Sequence, residues 1–297
     1  MLTELLAMTL IRAQIAAAAA VVLVLVLRIP ARRLFGARLT YGLWAMVPTA
    51  AAASAFPSLA ETLEVGAPTA PLGGDLPGLI LCLWLLGGLT LAAVFLGQER
   101  AFARRAKRGQ AGPAVMGALW PRLVLPADFT HRFSPRERDL ILLHERTHIR
   151  RGDPIANLAI AACRVLGWCN PLIQLGAAFA RIDQELACDA TVLALRQGIR
   201  ADYAKALLKV QMSQATSPLA CGWATHPLIL RVSLLSRSEP SRRREMAGFG
   251  VLTALGIGAF LAVWTLAPRG LDHYQLAPVL VEGSNLDFHT ARGAARP

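Results

Sequence analysis

The chain has 297 residues, of which 55% are hydrophobic and only 17% are charged, and its formal net charge is +12. Ordinary soluble domains have about 25% charged residues, so this composition argues against that class and favours membrane-spanning helices. The positive charge does not indicate nucleic-acid binding, because the arginines cluster beside apolar runs and no recognised nucleic-acid-binding motif is present.

Four apolar stretches are long enough to cross a bilayer as helices, which takes about 20 residues each. They are residues 8–27, 39–56, 77–97 and 246–267. A cleaved signal peptide is the alternative interpretation of the first stretch. However, it ends in Arg28, Arg32 and Arg33 rather than in a small-residue cleavage site. The sequence therefore predicts four spans.

Lysine and arginine residues are distributed unevenly between the connecting segments. They follow the first and third apolar stretches and precede the fourth, whereas residues 57–76 contain none. By the positive-inside rule, the N-terminus and the tail, residues 268–297, lie outside the cell and residues 98–245 are cytoplasmic. We expect a multi-pass protein of the plasma membrane whose arginines contact anionic lipid headgroups.

Residues 98–245 have the length of one domain and contain clear signals for helix ends. Short strands are expected in residues 111–129, which combine Val, Leu and Trp with Pro and Gly. Ser134 is the predicted N-cap of a helix that stops near Gly152, and Asp153 opens a second helix. Asn170 opens a third, and Asp202 is predicted to cap a fourth.

The cysteines are odd in number and lack CxxC spacing, and each lies in a predicted span or in the predicted cytoplasmic part. Cysteines in a reducing compartment are rarely paired, so we expect reduced, buried thiols. The residues concerned are Cys82, Cys163, Cys169, Cys188 and Cys221.

The sequence His-Glu-Arg-Thr-His at residues 144–148 predicts a zinc site. His144 and His148 are four residues apart, so on a helix both imidazoles point from one face and can bind one ion. Glu145 can act as general base, because it lies beside the position of a water that zinc makes more acidic. The apolar run at residues 140–143 indicates that this helix is buried as it approaches the motif.

A catalytic zinc ion needs a third protein ligand and an open position. Glu185 and Asp189 are one turn apart on a long predicted helix, so one could bind the ion while the other orients a histidine. These residues alone leave that choice open. The full set of downstream candidates is Asp153, Asp183, Glu185, Asp189, His226 and Glu239.

The apolar stretch at residues 154–180 could be mistaken for a further span. A single crossing there would separate Glu185 from His144 by the width of the membrane. The break at Asn170 and Pro171 instead predicts a buried or membrane-leaning helical hairpin.

Several sequence blocks resemble the membrane zinc peptidases of the BlaR/MecR type, the signalling proteases of bacterial beta-lactam sensor-transducers. They read LLHERTHIRRGDPIANL, GWCNPLI, QELACDATVLA and DYAKALL, preceded by PAVMGALWPRLVLP. The resemblance implies a mainly α fold: four membrane helices and a mostly helical, gluzincin-like peptidase domain with a few short strands. It also selects Glu185 over Asp189 as the third ligand of the zinc ion.

The residue roles that this resemblance implies fall into three groups. Two histidines and a glutamate hold the ion, a second glutamate is the catalytic base, and three further polar residues support the ligands. These are His144, His148 and Glu185, then Glu145, and then Asp189, Asp153 and Asn157.

The resemblance has one large departure. Full-length sensors of that family carry an extracellular penicillin-binding domain with an SxxK motif, whereas only residues 268–297 follow the last stretch here, without that motif. Covalent sensing of a beta-lactam by this chain is therefore not predicted. The implied substrate is a cytoplasmic DNA-binding repressor, the chain itself, or both, and the sensor would be a separate protein or a homodimer.

Two other functions compete with the signalling protease. A membrane quality-control protease can share HExxH and a later acidic block, and a non-catalytic receptor or scaffold could use the same ion structurally. Glu145 argues against a structural site, which needs ligands but no general base.

Overall fold

The computed structural model describes residues 2–63, 74–214, 225–235 and 240–266. Within these residues the chain is mainly helical, and three helices are long and apolar enough to cross a membrane. They contain the first, third and fourth predicted spans. Their bounds are α1 (Leu2–Phe35), α5 (Leu76–Lys107) and α12 (Arg242–Leu266). The predicted tail, residues 268–297, lies outside the described residues.

The second predicted span, residues 39–56, is not one continuous α-helix. It consists of α2 (Ala37–Gly42), a 3₁₀ turn (Leu43–Ala45) and α3 (Met46–Ala53), followed by the short α4 (Leu59–Thr62). Proline has no backbone N–H, so Pro48 cannot donate the α-helical hydrogen bond to the carbonyl of Trp44. The tighter 3₁₀ turn lies at this point of the chain.

The predicted short strands are present before the motif helix. Strand β1 (Ala114–Met116) pairs antiparallel with β2 (Arg122–Val124), with Val115 opposite Leu123. A single turn of helix, α6 (Phe129–Arg132), then leads into α7 (Pro135–Arg151), which carries the HExxH motif.

Both predicted ends of α7 are confirmed. The Ser134 side chain accepts a hydrogen bond from the Glu137 amide while the Glu137 carboxylate accepts one from the Ser134 amide, which forms a capping box. Gly152 ends the helix at φ 75°, a left-handed conformation that glycine adopts without steric cost. Because its ends are fixed, the position of the motif along α7 is well defined.

The apolar stretch after α7 forms the predicted hairpin, α8 (Asp153–Leu166) and α9 (Pro171–Leu195). The Asn170 side chain caps α9 by accepting a hydrogen bond from the Leu172 amide. The domain continues with α10 (Arg200–Gln214) and α11 (Thr225–Leu235). The predicted cap at Asp202 is wrong, because α10 already begins at Arg200 and Asp202 lies in its first turn.

The tip of the α8–α9 hairpin lies against the two long helices α1 and α5. The Leu166 carbonyl accepts hydrogen bonds from the side chains of Gln14, at 3.0 Å, and Trp84, at 2.8 Å. The Trp168 indole donates to the Trp84 carbonyl at 3.0 Å, and its ring packs so closely on Gly87 that a β-carbon there would overlap it. The Leu166 carbonyl at the turn is thus satisfied by side chains of both neighbouring helices.

Three buried clusters surround these elements, and two of them include residues of α9. Apolar residues of α1, the 3₁₀ turn, α3 and the first half of α9 form the larger of these two, which joins the hairpin to α1. The second consists of Leu140, Val192, Tyr203, Leu207 and Leu235, from α7, α9, α10 and α11. Helix α9 therefore belongs to both clusters and connects them.

The prediction that the cysteines are buried is correct only in part. The four cysteines within the described residues are free thiols, but only Cys188 is buried. Cys82 and Cys169 are exposed because they lie on the outer surface of α5 and at the hairpin tip, and Cys163 is partly buried. Cys221 lies outside the described residues.

Candidate metal centre

Helix α7 brings His144 and His148 together at its buried side. Their Nε2 atoms are 3.1 Å apart, and both side chains are nearly buried. Two imidazole nitrogens facing each other at this distance repel unless a proton or a metal ion lies between them. The pair therefore has the arrangement expected of two ligands of one ion.

Glu185 on α9 approaches the same two nitrogen atoms. Its Oε2 lies 3.6 Å from Nε2 of His144 and its Oε1 lies 3.5 Å from Nε2 of His148. Donor atoms at about 2.0–2.1 Å from a tetrahedral zinc ion are about 3.3 Å from one another. The three side chains thus fit a single zinc ion in both chemistry and spacing.

Cys188 offers an alternative third donor, since its sulfur and one nitrogen of each histidine lie within 4.8 Å of one another. However, its nearest contact with a histidine ring is 3.5 Å from Nδ1 of His144, on the opposite edge of the ring from Nε2. Burial, together with the charges of Glu185 and Asp189, raises the pKa of the Cys188 thiol. The Glu185 carboxylate instead faces both Nε2 atoms, so the geometry favours Glu185 as the third ligand.

Hydrogen bonds fix the orientation of both histidine rings. Nδ1 of His148 lies 2.7 Å from Oδ2 of Asp153, which is almost fully buried at the start of α8. Nδ1 of His144 lies 2.7 Å from the hydroxyl of Tyr203, which in turn donates to Asp189 at 2.7 Å. With Nδ1 engaged in this way, each ring directs its Nε2 lone pair toward the shared site.

Arg231 on α11 connects the two acidic residues of α9. Its Nε and Nη2 donate to the two Asp189 oxygens, both at 2.8 Å, and its Nη1 lies 3.0 Å from Glu185 Oε2. Burial alone would raise the pKa of Glu185, but His144, Arg231 and His148 together hold that pKa well below its ordinary range. Glu185 therefore carries the negative charge that a zinc ligand requires.

Burial raises the pKa of Glu145, and the nearby charge of Glu185 acts in the same direction, against the opposing effect of the two histidines. Burial lowers the pKa of His148, but Asp153 and the carboxylates of Glu185 and Glu145 outweigh it, so the net direction is upward. A buried carboxylate with a raised pKa is better suited to accept and return a proton than an exposed one.

The structure thus brings together most of the residues that the sequence singled out. Asp189 accepts a hydrogen bond from the Tyr203 hydroxyl, which lies between it and His144. The buried Oδ1 of Asn157 has no protein hydrogen-bond partner among the described residues. Asp183 faces away from the site, and His131 is exposed. The His226 side chain and Glu239 lie outside what the structure describes.

Sequence reasoning missed two residues of this site, Tyr203 and Arg231. Tyr203 lies in the DYAKALL block, and Arg231 is the one charged residue in the apolar sequence of α11, THPLILRVSLL. A lone arginine in such a helix indicates a buried carboxylate partner, so the sequence did contain a signal for Arg231.

Sequence comparison finds relatives of this chain among known proteins. The chain is 32% identical over 109 residues to the regulatory protein BlaR1 of Bacillus licheniformis, covering 36% of this chain and 18% of that protein. It is 29% identical over 100 residues to the methicillin resistance mecR1 proteins of Staphylococcus aureus and Staphylococcus epidermidis, covering 33% of this chain and 17% of each relative. The alignments thus span less than a fifth of these relatives' length.

The family described as BlaR1 peptidase M56 matches residues 8–74 and 109–235 of the chain. The match covers more than half of the sequence, omits α5, and includes His144, His148 and Glu185 together with Tyr203 and Arg231. The chain therefore belongs to the BlaR1 peptidase M56 family.

Proposed function

We propose that this chain is a membrane zinc endopeptidase that hydrolyses peptide bonds on the cytoplasmic side of the membrane. One observation carries the proposal: Nε2 of His144 and Nε2 of His148 on α7 and the Glu185 carboxylate on α9 converge within 3.1–3.6 Å, beside the buried Glu145. Membership of a peptidase family supports catalysis rather than a purely structural ion.

His144, His148 and Glu185 would hold the ion, which when bound polarises the scissile carbonyl and makes the attacking water more acidic. Glu145 accepts the proton of that water and delivers it to the leaving amine. Asp153 orients His148, and the Tyr203 hydroxyl, itself held by Asp189, orients His144. Asn157, one turn beyond Asp153 on α8, would support the ligands from the same helix.

The proposed role is in signal transduction, by analogy with relatives named as a regulatory protein and as methicillin resistance proteins. The substrate would be a cytoplasmic DNA-binding repressor, the chain itself, or both. We expect no direct contact of this chain with nucleic acid. The signal would reach the peptidase from a separate sensor protein or within a homodimer.

Metal removal tests the peptidase assignment directly. Membranes containing the protein, incubated with cytosol, should generate new protein N-termini that vanish with 1,10-phenanthroline and return when zinc is added. The measurement is N-terminal labelling with mass spectrometry, and membranes with His144→Ala are the control for other metalloproteases. New N-termini that persist under chelation, or that the control also produces, would contradict the proposal.

We propose a four-span topology in which the broken α2–α3 run is the second crossing. The distribution of positive charge between the connecting segments supports it. In the hairpin, Asn170 at the tip binds Gln14, and Asp183, further along α9, binds Arg28. Gln14 and Arg28 are roughly 21 Å apart along α1 at 1.5 Å per residue, so α9 runs beside α1 toward its basic end. The candidate metal centre would then lie near the cytoplasmic membrane surface.

Reporter fusions test this topology. Fusions after Glu64 and Gly270 should report an extracytoplasmic location, and a fusion after Gly198 should report a cytoplasmic one, because positive charge flanks the cytoplasmic ends of the spans. Paired alkaline phosphatase and green fluorescent protein fusions give opposite readouts at each site. The reverse pattern would invert the topology. Identical readouts after Glu64 and Gly198 would remove the third crossing, which is the one that separates these two sites.

A further inference from the structure

A buried carboxylate on α9 holds the long helix α1. Asp183, which is 1% exposed, accepts hydrogen bonds from Nε and Nη2 of Arg28, both at 2.9 Å. Arg32 lies 3.3 Å from the same carboxylate, and the Trp44 indole donates to it at 2.9 Å. Phe179, one turn earlier on α9, packs against the Arg28 guanidinium at 4.5 Å. One aspartate thus connects α9 to both α1 and the 3₁₀ turn.

The next residue of α9 makes a second connection. The side-chain amide of Gln184, which is 2% exposed, donates to the hydroxyl of Tyr41 on α2 at 2.9 Å. Two consecutive buried polar residues are therefore bonded to the first two apolar segments of the chain. The residue that follows them is Glu185.

Helical geometry turns these contacts into a constraint on the candidate metal centre. Successive residues of an α-helix are about 100° apart, so Asp183 and Glu185 project about 200° apart, on nearly opposite faces. One face of α9 is held by α1, and the other presents Glu185 to His144 and His148. A displacement of α1 relative to α7 would therefore act on Glu185 through a single turn of helix.

Apolar contacts also join these elements. Val21 on α1 and Trp44 in the 3₁₀ turn pack against Gly176 on α9. The bidentate guanidinium–carboxylate pair adds a directional contact that fixes both height and rotation. Specifying register is also the best-attested role of buried polar groups.

We propose that Asp183 is a positioning residue that couples α1 to the metal ligand Glu185. The Arg28–Asp183 pair, assisted by Trp44 and by the Gln184–Tyr41 bond, sets the position of Glu185 relative to the two histidines. A signal that moves α1 would thereby alter the metal centre without contacting it. This inference rests on the proposed function, because it assigns Glu185 to the ion.

Cobalt substitution tests the coupling in the purified full-length protein, since the visible absorption of Co²⁺ depends on its ligand geometry. Asp183→Asn should keep the helical circular dichroism of the wild type but lower Co²⁺ affinity at least 10-fold, the lower limit for losing a supporting contact. Its absorption bands should also change. Trp44→Phe removes a single donor to Asp183 and should cause a smaller shift in the same direction.

Gln174→Ala provides the matched control. Gln174 is also on α9 and binds the Arg164 and Gly167 carbonyls at the hairpin tip, but it lies roughly 16 Å along the helix from Glu185. Its Co²⁺ affinity and spectrum should equal those of the wild type. If Gln174→Ala lowered Co²⁺ affinity as much as Asp183→Asn does, the loss of any α9 contact would be enough to weaken metal binding. That result would overturn the positioning role of Asp183.

The remaining outcomes separate this inference from the proposed function. Wild-type Co²⁺ affinity and spectrum in Asp183→Asn, or in Trp44→Phe if the first variant does not fold, would overturn the coupling alone. The double variant Arg28→Gln, Asp183→Asn replaces the charged pair by a neutral one. If its Co²⁺ affinity and spectrum equalled those of the wild type, the charge balance alone would matter and the coupling would also be overturned. A wild-type protein that binds no more Co²⁺ than His144→Ala would instead refute the metal site itself.

Discussion

Glu145→Gln should abolish proteolysis while leaving zinc bound. Glutamine keeps the size of the side chain but cannot accept the proton of the attacking water, and general acid–base groups contribute about 10²–10⁴-fold to rate. The three proposed metal ligands remain in place, so the zinc content should stay at one ion per chain. The measurement combines zinc analysis of the purified variant with counting of new N-termini in membranes and cytosol.

Glu137→Gln is the control for this prediction. It makes the same chemical change on the same helix, at the capping box, where the Glu137 carboxylate binds the Ser134 amide and Lys209. It should leave proteolysis essentially unchanged. If Glu145→Gln cleaved as fast as the wild type, the catalytic assignment would fail, and a receptor or scaffold with a structural ion would become the better account.

Glu185→Ala and Cys188→Ala distinguish the two possible donor sets. Glu185→Ala removes the carboxylate that faces both Nε2 atoms, so zinc content should fall well below one ion per chain. Cys188→Ala removes a thiol that lies beside Nδ1 of His144, so zinc content should remain at one. Metal analysis after dialysis against a weak chelator measures both variants under the same conditions.

The opposite pattern would overturn this assignment. Zinc lost from Cys188→Ala and retained by Glu185→Ala would identify a His–His–Cys site. Both variants must keep the wild-type circular dichroism for the comparison to hold. If both Glu185→Ala and Cys188→Ala retained zinc, a residue other than Glu185 and Cys188, such as Asp189, would complete the site.

Much of the architecture could be predicted from local signals in the sequence. The capping box at Ser134, the glycine at 152 and the Asn170–Pro171 break each determine a helix end through contacts within a few residues. The geometric requirement that Glu185 share a side with His144 correctly predicted the α8–α9 hairpin. Local chemistry therefore sufficed wherever the deciding partners were close in the chain.

Contacts between residues far apart in the chain could not be predicted from the sequence. Tyr203 lies 59 positions from His144 and Arg231 lies 42 positions from Asp189, so no spacing rule connects them. The break in the second apolar stretch was also not predicted from the sequence. The hydropathy of the stretch shows its length and apolar character, but not the backbone hydrogen bond that Pro48 cannot make. Asp183 was considered as a ligand, whereas its carboxylate is already bound by Arg28 on the opposite face of α9.

X-ray absorption at the zinc edge of the purified protein tests the central claim most directly, because it reports the donor atoms around the ion. The account predicts one zinc ion per chain with two imidazole nitrogens and carboxylate or water oxygens at about 2.0–2.2 Å, and no sulfur. A zinc–sulfur distance of about 2.3 Å would place Cys188 in the site instead of Glu185. A protein without bound zinc would contradict the metallopeptidase assignment altogether.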